Sequence, residues 1–174
     1  MKFPWPLRKV IYLIPLVLLT GCTNPFSPSF DESDENSSVI SDLKTPEGVF
    51  QNMQYAYTFR DTLIYSDLIA PDFIFTFHDY DRGFDDSWGR DEEMRTTYRL
   101  FQSSQRLDLI WNNISASSAD SSNATIIRAF NLTVTLNSSD LPLQAYGKVN
   151  MSLKKNLQTG KWQISRWVDE SNSL

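Results

Sequence analysis

The chain has 174 residues, with 21 acidic against 16 basic side chains, a formal net charge of −5, one cysteine and one histidine. An acidic chain repels phosphate backbones, which argues against nucleic acid as a partner. Too few thiols and imidazoles are present for an internal disulfide, a cysteine-ligated zinc or iron–sulfur centre, or a multi-histidine metal site, so no metal and no cofactor is expected.

Residues 1–21 divide as an export signal does. Lys2, Arg8 and Lys9 make a positive start, and Val10 to Leu19 form an apolar core interrupted by Pro15. That core is shorter than the roughly 20 apolar residues of a membrane span. It ends in Leu19-Thr20-Gly21-Cys22, which resembles the lipobox of bacterial lipoproteins, where small residues admit the strand to the peptidase and the thiol accepts diacylglycerol. Residues 1–21 are therefore expected to be a lipoprotein signal peptide, with Cys22 lipidated and holding the mature chain on a membrane, at ~0.8 kcal/mol per buried CH₂ of acyl chain. Thr23, and not aspartate, follows the cysteine, and by resemblance to bacterial sorting patterns this favours the outer membrane over the inner. Removal of Lys2, Arg8 and Lys9 moves the net charge from −5 to −8.

Residues 22–44 comprise the lipidated cysteine and a stretch rich in Ser, Asp, Asn and Pro without an apolar repeat, expected to be a disordered tether. Residues 45–174 are expected to be one domain. Thr45 suits a helix N-cap, Pro46 the first helical position and Glu47 the helix dipole. Phe50, Met53 and Tyr57 then recur at helical spacing. Asp61 caps a second short helix expected over 62–70, stopping before Pro71. Asp72 to Phe77 reads as an aromatic strand, His78 to Asp86 as an acidic loop, and 87–105 as a third helix. Four strands follow, at about 107–116, 124–137, 142–155 and 161–169. Ile126, Phe130, Leu132 and Val134 alternate with polar neighbours in the second of them, as do Leu143, Ala145, Val149, Met151 and Leu153 in the third. Helices followed by a long meander make an α+β domain.

The order of these pieces resembles the nuclear transport factor 2-like (cystatin-like α+β cone) superfamily. The residues that carry the likeness are Thr45-Pro46-Glu47, Arg60-Asp61 with Asp67 before Ala70-Pro71-Asp72-Phe73-Ile74-Phe75, and Gly160 through Trp162 and Trp167 to Asp169. Ser87-Trp88-Gly89-Arg90-Asp91-Glu92-Glu93 also looks like members of the superfamily found as bacterial lipoproteins. The resemblance covers about residues 45–170 and implies three N-terminal helices packed on a curved antiparallel sheet, enclosing a cone whose interior is a ligand pocket, an active site or plain core. Such a fold hosts isomerases, dehydratases, dimerisation modules and transport adaptors, so it does not by itself give an activity.

Several residues are candidates for chemistry. His78 is the one imidazole and adjoins Asp79, a general acid/base composition. The superfamily's dehydratases use a histidine with an aspartate, but the surroundings of His78 do not match that motif, and a solvent-facing loop histidine is the plainer reading. Arg128 interrupts an apolar strand face, where a charge needs a partner or water. It either grips an anionic ligand in the cone or reaches water, with Asp108, Asp169 or Glu170 as candidate partners. The loop carboxylates from Asp79 to Asp86 miss the EF-hand spacing at Gly83 and Arg90. Trp88, Trp111, Trp162, Trp167, Tyr98 and Tyr146 are candidates for an aromatic pocket or for core, with Tyr98, Trp88 and Arg128 as the ligand-binding set. Tyr146 shares the opposite strand face with Gln144, Lys148 and Asn150, and the superfamily's habit of pairing subunits there implies a homodimer interface. The preferred expectation is a membrane-tethered, non-catalytic domain binding a small molecule or a partner in the cell envelope. An isomerase- or dehydratase-type enzyme, with His78 or an interior Asp as base and a Tyr as donor, is one alternative. A structural dimerisation module is another.

Overall fold

The computed structural model describes residues 40–170. The expected signal peptide, Cys22 and the tether as far as residue 39 lie outside the described residues. The last residues of the expected tether pack on the domain: Leu43 is buried, its carbonyl accepts from the Trp162 N–H at 2.8 Å, and Ser41 exchanges two hydrogen bonds with the Asn52 side chain.

Helix α1 (Pro46–Phe59) starts as its sequence dictates, with Thr45 extended and its Oγ1 accepting from the Gly48 N–H at 3.1 Å. Val49, Phe50, Met53, Ala56 and Tyr57 form its buried stripe. Arg60 closes it in the left-handed region (φ 55°), returning its N–H to the Ala56 and Tyr57 carbonyls. Helix α2 (Thr62–Leu68) is capped by the Asp61 carboxylate, which accepts from the Leu63 and Ile64 N–H groups. It ends before residue 70, because Pro71 holds Ala70 extended and the chain enters strand β1 (Ile69–Asp79) at Ile69.

The expected acidic loop is a β-hairpin. Strand β2 (Phe84–Gly89) pairs antiparallel with β1, and the third helix, α3 (Arg90–Ser103), begins only after Gly89. Arg82 binds both Asp79 and Asp86 at 2.6 Å, Gly83 takes a positive φ of 73° in the turn, and Trp88 stacks on its cross-strand neighbour Phe75. Charge pairing at the tip and aromatic pairing at the base make a hairpin of a carboxylate-rich segment.

Strands β3 (Arg106–Ala119), β4 (Asn123–Thr135), β5 (Leu143–Lys155) and β6 (Trp162–Asp169) form the expected meander. The complete sheet runs β2-β1-β6-β5-β4-β3, with β1 parallel to β6. It is thus a mixed sheet, not the purely antiparallel one expected. The last strand returns beside the first, a long-range pairing that no local pattern encodes. The core lies between the concave sheet face and α1 and α2, with Phe50, Met53, Tyr65, Phe73, Met151 and Ile164 all buried.

Candidate functional site in the cone

Period-two alternation turns Leu109 and Trp111 of β3, Phe130 and Leu132 of β4, Ala145 and Val149 of β5, and Trp167 and Asp169 of β6 toward the helices. Together with Tyr57 of α1 they line a cavity of about 220 Å³. Small residues on β5 open it. Ala145 pairs with Leu132, and Gly147, paired with Phe130, offers no side chain at the next inward position.

The walls are held from outside. The Trp111 indole N–H donates to the Phe50 carbonyl at 2.9 Å, and its ring meets Phe50 edge-on at 5.0 Å. Trp167 packs edge-on against Phe75 at 5.4 Å, and Phe75 in turn stacks on Trp88 at 4.5 Å. The Trp167 Nε1–H is buried and has no hydrogen-bond partner among the described residues. A buried donor of this kind costs about 1–3 kcal/mol when left unpaired.

Below Tyr57 lies the buried carboxylate of Glu93, 5% exposed. It accepts from the Tyr65 hydroxyl at 2.6 Å, the Trp88 indole N–H at 2.7 Å and the Thr97 hydroxyl at 3.1 Å. Burial pushes the Tyr57 phenol well above its ordinary range and the Glu93 charge adds to this, while hydrogen bonding with Tyr65 opposes it. Burial likewise raises Tyr65, with the neighbouring Tyr57 and Glu93 adding to it. Tyr57 is therefore a neutral phenol across the physiological range, fit to donate a hydrogen bond and unfit to act as a base.

The sequence candidates fall in different places. His78 and Asp79 sit on the exposed hairpin, away from the cavity lining. His78 meets Asp85, not Asp79, at 2.8 Å, and Asp79 is engaged by Arg82. Among the described residues no cluster of three or more His, Cys, Asp or Glu side chains is arranged to hold a metal. Arg128 faces inward but is not part of the cavity lining. It pairs with Glu47 of α1 at 2.9 and 3.0 Å, donates to the Asn112 carbonyl, and lies over the Phe50 and Trp111 rings. Glu47 was not among the partners that the sequence suggested for it, because the first turn of α1 reaches the sheet at that point. Trp88 supports the lining through Phe75 and Glu93. Tyr98 is 53% exposed, on the solvent side of a helix whose inner stripe is Glu93, Thr97 and Phe101. Trp162 is core, and Tyr146 is 60% exposed. Tyr57 and Asp169, both overlooked as cavity residues, join the expected pocket members Trp111 and Trp167.

No family model and no curated protein matches the sequence. Solved structures do match the fold. A conserved protein from Planctomyces limnophilus superposes with a TM-score of 0.64 at 15% identity, over 74% of this chain and 94% of that one. A nuclear transport factor 2-like superfamily protein from Salmonella enterica gives 0.58 at 12% identity, over 72% and 87%. A hexachlorocyclohexane dehydrochlorinase, LinA type 2, gives 0.55 at 9% identity, over 72% and 81%. The chain thus shares its fold with that nuclear transport factor 2-like superfamily protein.

Proposed function

We propose that the domain binds a small, largely apolar molecule in its cone and carries it at the cell envelope, anchored through a lipidated Cys22. The observation behind the binding reading is the cavity itself, walled by Trp111, Phe130, Trp167 and Tyr57, with the Tyr57 phenol and the Asp169 carboxylate among its lining residues. Apolar walls with a few convergent polar groups are the usual make-up of a ligand site. Its size, about 220 Å³, exceeds the ~150 Å³ that holds a benzene ring, so it suits one ring with a short arm. The anchor rests on the residues from Lys2 to Cys22. Native mass spectrometry of the purified chain tests the binding reading: a reproducible added mass, released on denaturation and lost in Ala145→Leu, supports it. A clean protein mass together with unchanged spectra after exposure to small aromatic probes would refute it. Radiolabelled palmitate entering the wild type but not Cys22→Ser tests the anchor.

A second reading is proton-transfer catalysis of the isomerase or dehydratase type. It is favoured by one carboxylate, Asp169, and one neutral phenol, Tyr57, lining the same cavity. Here Asp169 is the interior Asp that sequence reasoning named beside His78 as a base. Turnover of a bound ligand by the wild type, abolished in both Asp169→Asn and Tyr57→Phe, would establish it.

A further inference from the structure

The hydrogen bonds behind the cone run in one direction. A carboxylate only accepts, so the Tyr65 hydroxyl proton is committed to Glu93 at 2.6 Å. Trp88 and Thr97 donate to the same carboxylate. A tyrosine has one hydroxyl proton, and with that proton committed the Tyr65 oxygen can only accept. The next hydroxyl is that of Tyr57, which is hydrogen-bonded with Tyr65, the two rings standing 6.0 Å apart. Tyr57 must therefore give its own proton to Tyr65. Of these three residues only Tyr57 belongs to the cavity lining, with Tyr65 and Glu93 behind it. The chain thus ends at the cavity, on a phenol whose proton is turned away from it.

Resting on the binding reading above, we propose that Glu93, acting through Tyr65, fixes Tyr57 as a hydrogen-bond acceptor toward the cone, so that the cone selects an aromatic ring bearing an N–H or O–H donor over one bearing a carbonyl. The ligand class is a small neutral phenol or pyrrole-type heterocycle. Its donor meets the Tyr57 oxygen, and its ring lies among Trp111, Phe130 and Trp167. Glu93 touches no ligand in this arrangement and is a positioning residue.

Glu93→Gln tests the polarity. The glutamine NH₂ donates to the Tyr65 oxygen, which frees the Tyr65 proton for Tyr57 and turns the Tyr57 proton into the cone. The probes are indole, which donates a hydrogen bond, and acetophenone, which only accepts one. Each is titrated by calorimetry into the purified full-length chain at neutral pH. From the wild type to Glu93→Gln, the ratio of indole to acetophenone affinity is expected to fall by about tenfold or more, since one hydrogen bond is lost and another gained. Probe hydration and the Asp169 carboxylate are the same in both proteins and cancel from the comparison. Tyr57→Phe provides a second variant: it should weaken indole by about fivefold and leave acetophenone within about twofold of the wild type. A ratio that moves by less than about threefold in Glu93→Gln, or indole binding unchanged in Tyr57→Phe, would overturn the proposal while leaving the binding reading standing. Silence from both probes in the wild type would overturn the two together.

Discussion

Replacing Glu93 separates the geometry of its site from its charge. The carboxylate is almost wholly buried and accepts from Tyr65, Trp88 and Thr97. In Glu93→Ala these three donors lose their acceptor. The Thr97 hydroxyl has a fallback in the carbonyl four residues earlier in its helix, and the half-buried Trp88 is within reach of water. Tyr65, fully buried, has neither and is left with the Tyr57 and Thr97 hydroxyls alone. At about 1–3 kcal/mol for the one stranded group, plus about 1 kcal/mol for the void left by the lost carboxymethyl, the cost comes to about 2–4 kcal/mol. Glu93→Gln behaves differently. Its amide oxygen serves the Trp88 N–H, which only donates, while its NH₂ meets the Tyr65 and Thr97 hydroxyls, which rotate to accept. That variant also removes a buried charge whose three hydrogen-bond partners are all neutral, so its stability should fall within about 1 kcal/mol of the wild type. Urea unfolding at pH 7 measures both. A loss below about 1 kcal/mol in Glu93→Ala, or a glutamine variant as unstable as the alanine one, would refute the hydrogen-bond account.

Other consequences are testable in the same way. Arg128→Met keeps the stem over Phe50 and Trp111 but strands the Asn112 carbonyl and releases Glu47, so urea unfolding should show a loss of about 1–2 kcal/mol; Glu47→Gln, at a half-exposed carboxylate, should cost less than about 1. Asp61→Ala removes the α2 cap and should cost about 1 kcal/mol by thermal denaturation. Tyr57 and Tyr65 have folded pKa values raised above the unfolded value of 10.0, so the folded state keeps protons that the unfolded chain sheds. Stability must then fall as pH rises past the unfolded value, by about 1.4 kcal/mol for each tyrosine at pH 11. Tyr57→Phe should remove about half of that paired alkaline loss, and an unchanged slope between pH 9 and 11 would contradict the burial of its phenol.

Sequence patterns gave away the elements whose signals are local. The α1 start is written in Thr45-Pro46-Glu47, and the inward residues of β4 recur every second position from Ala124 to Val134. Strand β2 was hidden because its carboxylates read as a loop, whereas the hairpin depends on Arg82 reaching Asp79 and Asp86 and on Trp88 meeting Phe75. The parallel pairing of β1 with β6 joins segments some ninety residues apart and has no local trace. Within the site, Trp111 and Trp167 were legible as pocket aromatics, and the break in bulk at Ala145 and Gly147 was a readable sign of a hollow. Tyr57 looked like one more member of an apolar helical stripe. Its polar role comes only from standing opposite the sheet, close to Glu93. Arg128 was recognisable as needing a partner, but not which one, because α1 supplies Glu47 from 81 residues away.

The central claim is that the cone is a ligand site and not a filled core. A crystallographic screen of small aromatic fragments soaked into crystals of the purified chain tests it most directly. The account predicts bound fragments between Trp111, Phe130 and Trp167, beside Ala145. Side chains collapsed across that space, or fragments bound only outside it, would contradict the account.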